Sequence, residues 1–393
     1  MTEKSITMKI KKPGLNTICT HVGEVKDSQF KGAVSPIYMS TSYAYDNVEV
    51  KRYPRYFNTP NQEMLGKKIA MLENKEAGMI FTSGMAAVST AMLAFLQTGD
   101  HVVLQKALYG GTFNFVEEEF GKFGIEYTFT EGLERDAFAK AIQPNTKVIF
   151  VETPSNPLMT VTDLEMVSTL AKEKGILTMI DNTFATPINQ RPGDFGIDII
   201  IHSATKYMGG HSDICAGAIA TSEEHMEVIW NKAKNLGGNL SDFMVWMLER
   251  SMKTLVLRVK QQNRNAKKVA KKLLKNEHVR AVYYPGLKSH PDYELAKKQM
   301  SGFGGMLSFE LAEGIDVDRF QAELKMIKAS MSLAGVESTL TIPMKTSHGL
   351  LSPEERKNQG IADGLIRLSV GIEDKEDILE DIEQALKKVA VKA

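Results

Sequence analysis

The sequence predicts an α/β protein: a large, mainly parallel sheet domain followed by a smaller α/β domain. Three observations carry this. First, short apolar runs follow one another from residue 78 to 222: "GMIFTSG", "DHVVLQ", "KVIFVETP", "ILTMIDNT", "IDIIIHS" and "AGAIATS". Runs of this length, bounded by turn residues, suit strands buried on both faces of a parallel sheet. Second, helical patterns separate them. One, "TDLEMVSTLAKEKG", shows both its ends: Thr162 and Glu165 fit a capping box, and Gly175 suits the C-terminal cap. Third, the pattern resumes after a long helical stretch over 243–275. "VRAVYYPG", "GGMLSFEL" and "LIRLSVGIE" read as strands, and "DKEDILEDIEQALKKVAVK" sets Ile378, Ile382, Leu386 and Val389 on one helix face. Strand, helix, strand in that order means α/β.

The elements divide the chain into an arm (1–60), a large domain (61–255) and a small domain (256–393). The arm is irregular. "VSPIYMSTSYAYDN" and "KRYPRYFNTPN" show no sustained period, and so long a segment without its own core docks on the rest of its chain or on a partner subunit. The large domain opens on "NQEMLGKKIAMLE", where Leu65, Ile69 and Leu72 at i, i+4 and i+7 mark a helix face. The Lys and Arg residues of the long helical stretch read as a solvated face.

Composition narrows the function. Lys+Arg and Asp+Glu both number 48, so the chain lacks the basic surplus of a general nucleic-acid binder. The start, "MTEKSITMKIKKPG", has no apolar h-region, and no apolar stretch approaches the ~18–20 residues of a membrane span. Cys19 and Cys215 read as two reduced thiols, which points to a cytoplasmic protein.

In open α/β sheets, ligands bind beyond the carboxyl ends of the strands. The residues after each apolar run therefore matter most: Thr82-Ser83-Gly84-Met85, Glu152-Thr153-Pro154-Ser155-Asn156, Asp181-Asn182-Thr183 and His202-Ser203-Ala204-Thr205-Lys206. Pyridoxal phosphate asks for such a set: a lysine for the Schiff base, an acid at the pyridinium nitrogen, and a phosphate site. Asp181 ends a strand, where a buried carboxylate needs a cationic partner. Ser83-Gly84-Met85 would present N–H groups at a helix N-terminus. Ser203 and Thr205 add hydroxyls beside Lys206. Each piece has a plainer reading: an N-cap, a turn, a solvent-facing lysine. Metal binding by His202, His211, Asp213 and Cys215 is a rival, but their spacing fits no zinc pattern. A structural histidine and a small buried cysteine are expected instead, and no metal. A non-catalytic phosphate-binding protein would explain Ser83-Gly84 and Thr205, yet leave Lys206 and Asp181 without a shared purpose.

"HSATKYMGGHSDICAG" resembles the lysine signature of the cystathionine/methionine-metabolism (trans-sulfuration) family of pyridoxal-phosphate enzymes. "YPRYFNTPN", "SGMAA", "ALYGGTFNF", "ETPSNP", "IDNTFATP", "SLAGVES" and "GLIRLSVGIED" resemble further segments of that family, in its order, over nearly the whole chain. The resemblance implies the type I aminotransferase-like fold, pyridoxal 5'-phosphate as cofactor, an amino-acid substrate and a homotetramer built as a dimer of dimers. Under it, Lys206 is the Schiff-base lysine and Asp181 the pyridinium partner. Gly84, Met85, Ser203 and Thr205 are phosphate ligands. Tyr53 and Arg55 reach the phosphate from the neighbouring subunit, which gives the arm a purpose. Tyr109 stacks on the cofactor ring and is the acid or base near the leaving sulfur. Asn156, Ser332 and Arg367 lie near the substrate carboxylate, with Arg367 as a bidentate clamp.

The same resemblance implies a carbon–sulfur lyase. Gly111 stands where methionine γ-lyases carry a cysteine, and "SLAGVES" lacks the aromatics of bacterial cystathionine β-lyases. Glu337 resembles the acid of cystathionine γ-lyases and γ-synthases that can meet the distal ammonium of cystathionine or cysteine. Its plainer reading is a solvated loop acid. γ-Elimination from cystathionine is the expected reaction. Cystathionine γ-synthase (γ-replacement on an O-acylhomoserine), methionine γ-lyase and cystathionine β-lyase are the alternatives. Two segments depart from the family's pattern. Asn58-Thr59-Pro60 replaces the order Asn-Pro-Thr, and Ser241-Asp242 replaces a Ser-Pro turn ahead of the long helix.

Overall fold

The computed structural model describes residues 13–346, 354 and 360–390. The apolar runs form β1 (Ala77–Phe81), β2 (His101–Leu104), β4 (Thr146–Glu152), β5 (Leu177–Asp181), β6 (Ile199–His202) and β7 (Gly217–Thr221). With β3 (Glu126–Phe129) they make a seven-stranded sheet in the order β1-β7-β6-β5-β4-β2-β3. Sequence reading missed β3 because "EYTF" is short, lies at the sheet edge and is only partly buried. All pairings are parallel except those of β7, which runs antiparallel to β6 and to β1. A parallel neighbour needs a crossover, usually a helix. Residues 203–216 form a loop with no helix between β6 and β7, so the chain returns antiparallel and the Lys206 turn stays at the carboxyl edge.

Two expectations about helix ends need correction. The helix Leu164–Lys174 is capped by Asp163, whose carboxylate accepts from Met166 N at 3.0 Å, not by Thr162. Thr162 is buried with its hydroxyl committed to Gln105 Oε1 (2.9 Å) and its amide to Thr153 Oγ1 (3.0 Å). Glu165 turns outward to Lys298. Gly175 does close the helix, at φ +64°. The stretch 243–275 is two helices, Asp242–Met252 and Leu255–Leu273, broken at Lys253-Thr254. Arg258 is not on a solvated face either. It is buried, and its guanidinium donates to the carbonyls of Tyr207 (2.7 Å), Met208 (3.3 Å) and Ser251 (3.0 Å). It thus adds a charged donor to a carbonyl at the helix break and pins the backbone just after Lys206. A Cβ at Gly210, which has φ +68°, would lie 1.9 Å from that guanidinium, so this turn needs glycine.

A second sheet has the order β10-β11-β12-β9-β8, from β8 (Val279–Tyr283), β9 (Met306–Leu311), β10 (Lys328–Ala329), β11 (Thr339–Thr341) and β12 (Leu365–Ser369). β10 and β11 have two and three residues, too few to show a period. The last helix, Lys375–Ala390, buries Ile378, Ile382, Leu386 and Val389 against this sheet, as its pattern requires.

The arm begins with the helix Leu15–His21, which places Ile18 and Cys19 in the core. Lys68 Nζ donates to Cys19 O (3.0 Å), and Trp246 Nε1 donates to Ser35 O (2.9 Å). Further on, Phe30, Met39 and Tyr45 are 79%, 70% and 80% exposed. No described helix is long and apolar enough to cross a membrane.

Candidate active site

β1, β4, β5 and β6 run the same way, so their carboxyl ends bring the segments after them to one edge. The helix Gly84–Phe95 starts against the Lys206 turn: a Cβ on Gly84 would lie 2.8 Å from Ser203 Cβ. Ser83 caps it by accepting from Ala86 N at 3.0 Å. The amides of Gly84 and Met85 belong to the first turn, whose N–H groups have no partner within the helix. Ser203 N donates to Thr183 Oγ1 at 2.8 Å. The Thr205 hydroxyl donates to Ala216 O (3.1 Å) and accepts from Ala216 N (3.0 Å), so it is largely committed to holding the turn.

Lys206 Nζ lies 2.7 Å from Ser332 Oγ. Burial, and then the charge of Arg367, pull its ammonium down to about 8. Asp181 is the last residue of β5 and is buried. Its carboxylate accepts from Thr183 N at 2.9 Å, an amide rather than a cation, and burial holds it above the ordinary carboxylate range. Behind it, Glu73 Oε1 meets His202 Nε2 at 2.5 Å and accepts from Asn182 Nδ2 at 3.0 Å, all buried. Nothing in the sequence flagged Glu73.

Arg367 reaches the site from β12. It donates to Asn156 Oδ1 at 2.9 Å, and burial pulls the guanidinium down to about 10. Among the described residues Asn156 Nδ2 has no partner although it is buried, a donor that awaits an acceptor. Tyr109, half exposed, opens the helix Gly110–Glu119 and donates its amide to Glu152 Oε2 at 2.7 Å. A Cβ on Gly111 would lie 2.5 Å from the Tyr109 ring, so the ring occupies the space that a side chain there would need. Glu152 ends β4 and is buried. Burial and Asp181 push its carboxyl up. The sequence showed the charge closing an apolar run but gave it no role.

Ser332 and Ala334 take φ of +74° and +66°. Their loop walls a cavity of about 400 Å³ whose lining includes Thr205, Asp213, Cys215, Ser332 and Glu337. Glu337 accepts from Ser212 Oγ there, so it is a wall of the cavity and not merely a solvated loop acid. Cys215 is exposed on this wall, contrary to the buried cysteine expected, because 211–216 is an open loop in which Ile214 takes the inward position. His211 Nδ1 meets Gly209 O at 2.7 Å, and no metal-holding cluster of His, Cys, Asp and Glu occurs among the described residues.

Tyr53 and Arg55 stand apart, on the turn Pro54–Tyr56. Arg55 donates to Lys234 O and lies 5.6 and 5.3 Å from the Tyr53 and Tyr56 rings. The two departing segments meet each other. Thr59, the cap of the helix Pro60–Leu72, donates its hydroxyl to Asp242 Oδ1, and both residues are buried.

The donor set suits pyridoxal phosphate. It holds an amine of lowered pKa, a buried carboxylate without a hydrogen-bonded cation, a helix start with free amides, and an unpartnered buried amide above them. These features define a pyridoxal-phosphate enzyme with the type I fold. The model of the Cys/Met metabolism PLP-dependent enzymes matches residues 16–387, and the chain belongs to that family. Cystathionine gamma-lyase of Bacillus subtilis is 43% identical over 377 residues, 95% of this chain and 99% of the relative. Cystathionine beta-lyase MetC of the same organism is also 43% identical, over 91% of this chain and 93% of the relative. Among solved structures, cystathionine gamma-lyase from Lactobacillus plantarum complexed with L-serine superposes with a TM-score of 0.93. It has 37% identity and covers 96% of this chain and 100% of that one. Other relatives are named L-methionine gamma-lyase and cystathionine gamma synthase. The chain is therefore a pyridoxal-phosphate-dependent enzyme of the carbon–sulfur lyase kind, acting on a small amino acid.

Proposed function

We propose that this enzyme cleaves cystathionine by γ-elimination, giving cysteine, a 2-oxo acid and ammonia. One observation supports this above others: among the described residues, the lining of the cavity beside Lys206 has two acids, Asp213 and Glu337, and no base. Such a wall favours a substrate whose far end carries an ammonium, as cystathionine does and methionine does not. When bound, pyridoxal phosphate supplies an electron sink for the carbanion at the substrate α-carbon. Lys206, Asp181, Gly84, Met85, Ser203 and Thr205 would hold it, the carboxylate of Asp181 balancing its ring nitrogen.

The chain's own residues do the rest. Arg367 and Asn156 Nδ2 bind the α-carboxylate and turn the α-carbon toward Lys206. The Lys206 amine, whose pKa burial lowers to about 8 so that a neutral fraction is available near physiological pH, takes the α-proton, hands that proton on within the site and, neutral again, takes a β-proton. Ser332 orients that amine by accepting from it. Tyr109 gives a proton to the leaving sulfur. Glu337, held by Ser212, meets the distal ammonium.

We also place Tyr53 and Arg55 at a neighbouring subunit's phosphate, in a homotetramer built from dimers. The exposed apolar residues of the arm support this. The two free cysteines suit a cytoplasmic setting. The same acidic wall would seat the ammonium of cysteine, which favours γ-replacement as the second reading. The test offers purified enzyme cystathionine, methionine, or O-succinylhomoserine plus cysteine, and identifies the products. Cysteine and a four-carbon 2-oxo acid from cystathionine bear the proposal out. Cystathionine formed from the ester, without cleavage in the first reaction, replaces it with the synthase.

A further inference from the structure

Glu152 sits where three parts of the site converge, and the reaction as derived gives it no task. It is in register with Asp181 on the neighbouring parallel strand. Its Oε2 accepts from Tyr109 N at 2.7 Å, and its Oε1 faces Asn156 N at 3.4 Å. Its main-chain oxygen accepts from Gln105 Nε2 at 2.7 Å, which stiffens the strand end beneath it. One side chain thus spans the loop that presents Tyr109 and the loop that presents Asn156, and Asn156 in turn is bonded to Arg367. Arg367 is buried, and Glu152 is the acid that most offsets its charge when ionised.

We propose that Glu152 is a positioning residue: one buried carboxyl group that fixes Tyr109 and the Asn156–Arg367 pair in a common frame. A carboxyl group suits this task because each of its two oxygens can accept a hydrogen bond, and both neighbours offer N–H groups. The amide of Gln has one acceptor and one donor, so it can serve Tyr109 N or Asn156 N but opposes the other. The frame makes sense of two features. Asn156 Nδ2 is buried with no partner among the described residues, and its residue is held through the amide that faces Glu152 and through Oδ1 on Arg367. Tyr109 stays at the mouth although half exposed, because its amide is anchored at the helix start.

The inference rests on the reading that Asn156 and Arg367 receive the substrate α-carboxylate. The test therefore uses glycine, which carries the carboxylate and amine but no leaving group. Glycine binding to the cofactor-loaded enzyme is measured by calorimetry, with the visible spectrum and melting temperature recorded beside it. Glu152→Gln should weaken glycine about 10-fold, as losing a hydrogen bond to a charged group does, while spectrum and melting temperature stay near those of the parent. In an Asn156→Ala background the same change should add little, because the group it positions is gone. Parent-like glycine affinity in Glu152→Gln, or full additivity in the cycle, would overturn the proposal. If that variant does not fold, Glu152→Asp replaces it: the retracted carboxylate should weaken glycine too, and parent-like affinity there would be equally fatal. Arg367→Lys separates the two readings. Unchanged glycine affinity in that variant removes the carboxylate reading itself, whatever Glu152 does.

Discussion

The two walls of the site are built differently. One consists of Asp181, Ser203 and Lys206, on short turns at the carboxyl ends of β5 and β6, strands buried along their length. The Arg258 guanidinium clamps the backbone just beyond Lys206. The other wall is the loop between β10 and β11, strands of two and three residues. Ser332 and Ala334 take positive φ there, and Met331 is 77% exposed. The groups proposed to hold the cofactor lie on the stiff wall, and the groups proposed to sort substrates lie on the one that can vary. Under the proposed roles, the difference makes reaction class and substrate choice separable in this enzyme. It also fits relatives of equal identity that carry the names of different lyases.

Breaking the stiff wall should have the largest effect. Lys206→Ala should lower turnover by about 10⁴-fold or more and abolish the visible band of the bound cofactor, with far-UV circular dichroism unchanged. Turnover near the parent's would remove the catalytic reading altogether. The lowered pKa of Lys206 sharpens the comparison next. A depressed pKa means that the neutral amine appears at lower pH. In cofactor-free enzyme, acetylation of Lys206 should rise through about pH 8, whereas ordinary lysines follow a pKa near 10.5. At neutral pH its neutral fraction should exceed theirs a few hundredfold. Peptide mass spectrometry against pH reads this directly, and a titration matching surface lysines would refute it.

Changes on the variable wall should be milder and selective. Glu337→Ala should raise KM for cystathionine by roughly one to two decades and hardly affect methionine, if methionine is turned over. Equal losses on both substrates would show damage to the loop and no role in selection. The arm is a third wall, proposed to be lent by a neighbour, and its test has the smallest readout. Arg55→Ala and Lys206→Ala chains, each poorly active alone, should recover about a quarter of parent activity when reassembled together. Half of the random dimers are then hybrids with one intact site of two. No recovery in verified hybrids would return Arg55 to its own subunit.

The stiff wall was the more legible of the two in the sequence. Strands buried on both faces write themselves as apolar runs, so "ILTMIDNT" and "IDIIIHS" announced β5 and β6 and placed Asp181 and Lys206 at their ends. The antiparallel turn of β7 was not legible, because "AGAIATS" is as apolar as its parallel neighbours. Arg258 was misread because a buried guanidinium that bonds only carbonyls looks, in sequence, like any helix-surface cation. Thr162 lost its capping place to Asp163 because its hydroxyl is drawn to Gln105, a partner 57 residues away. The variable wall was harder still. β10 and β11 are too short for periodicity, so Ser332 and Glu337 came only through the resemblance of "SLAGVES" and not through any pattern of their own.

The contact between Thr59 and Asp242 carries a consequence for inheritance. Two segments 183 residues apart in sequence depart from the family's pattern, and in space they share one hydrogen bond. A chimera that takes 58–60 from a relative but keeps Asp242 strands a buried acid without its donor, and the reverse swap strands a hydroxyl. The contact couples the two segments, so gene-shuffling libraries should return folded chains that carry both segments from one parent far more often than chance.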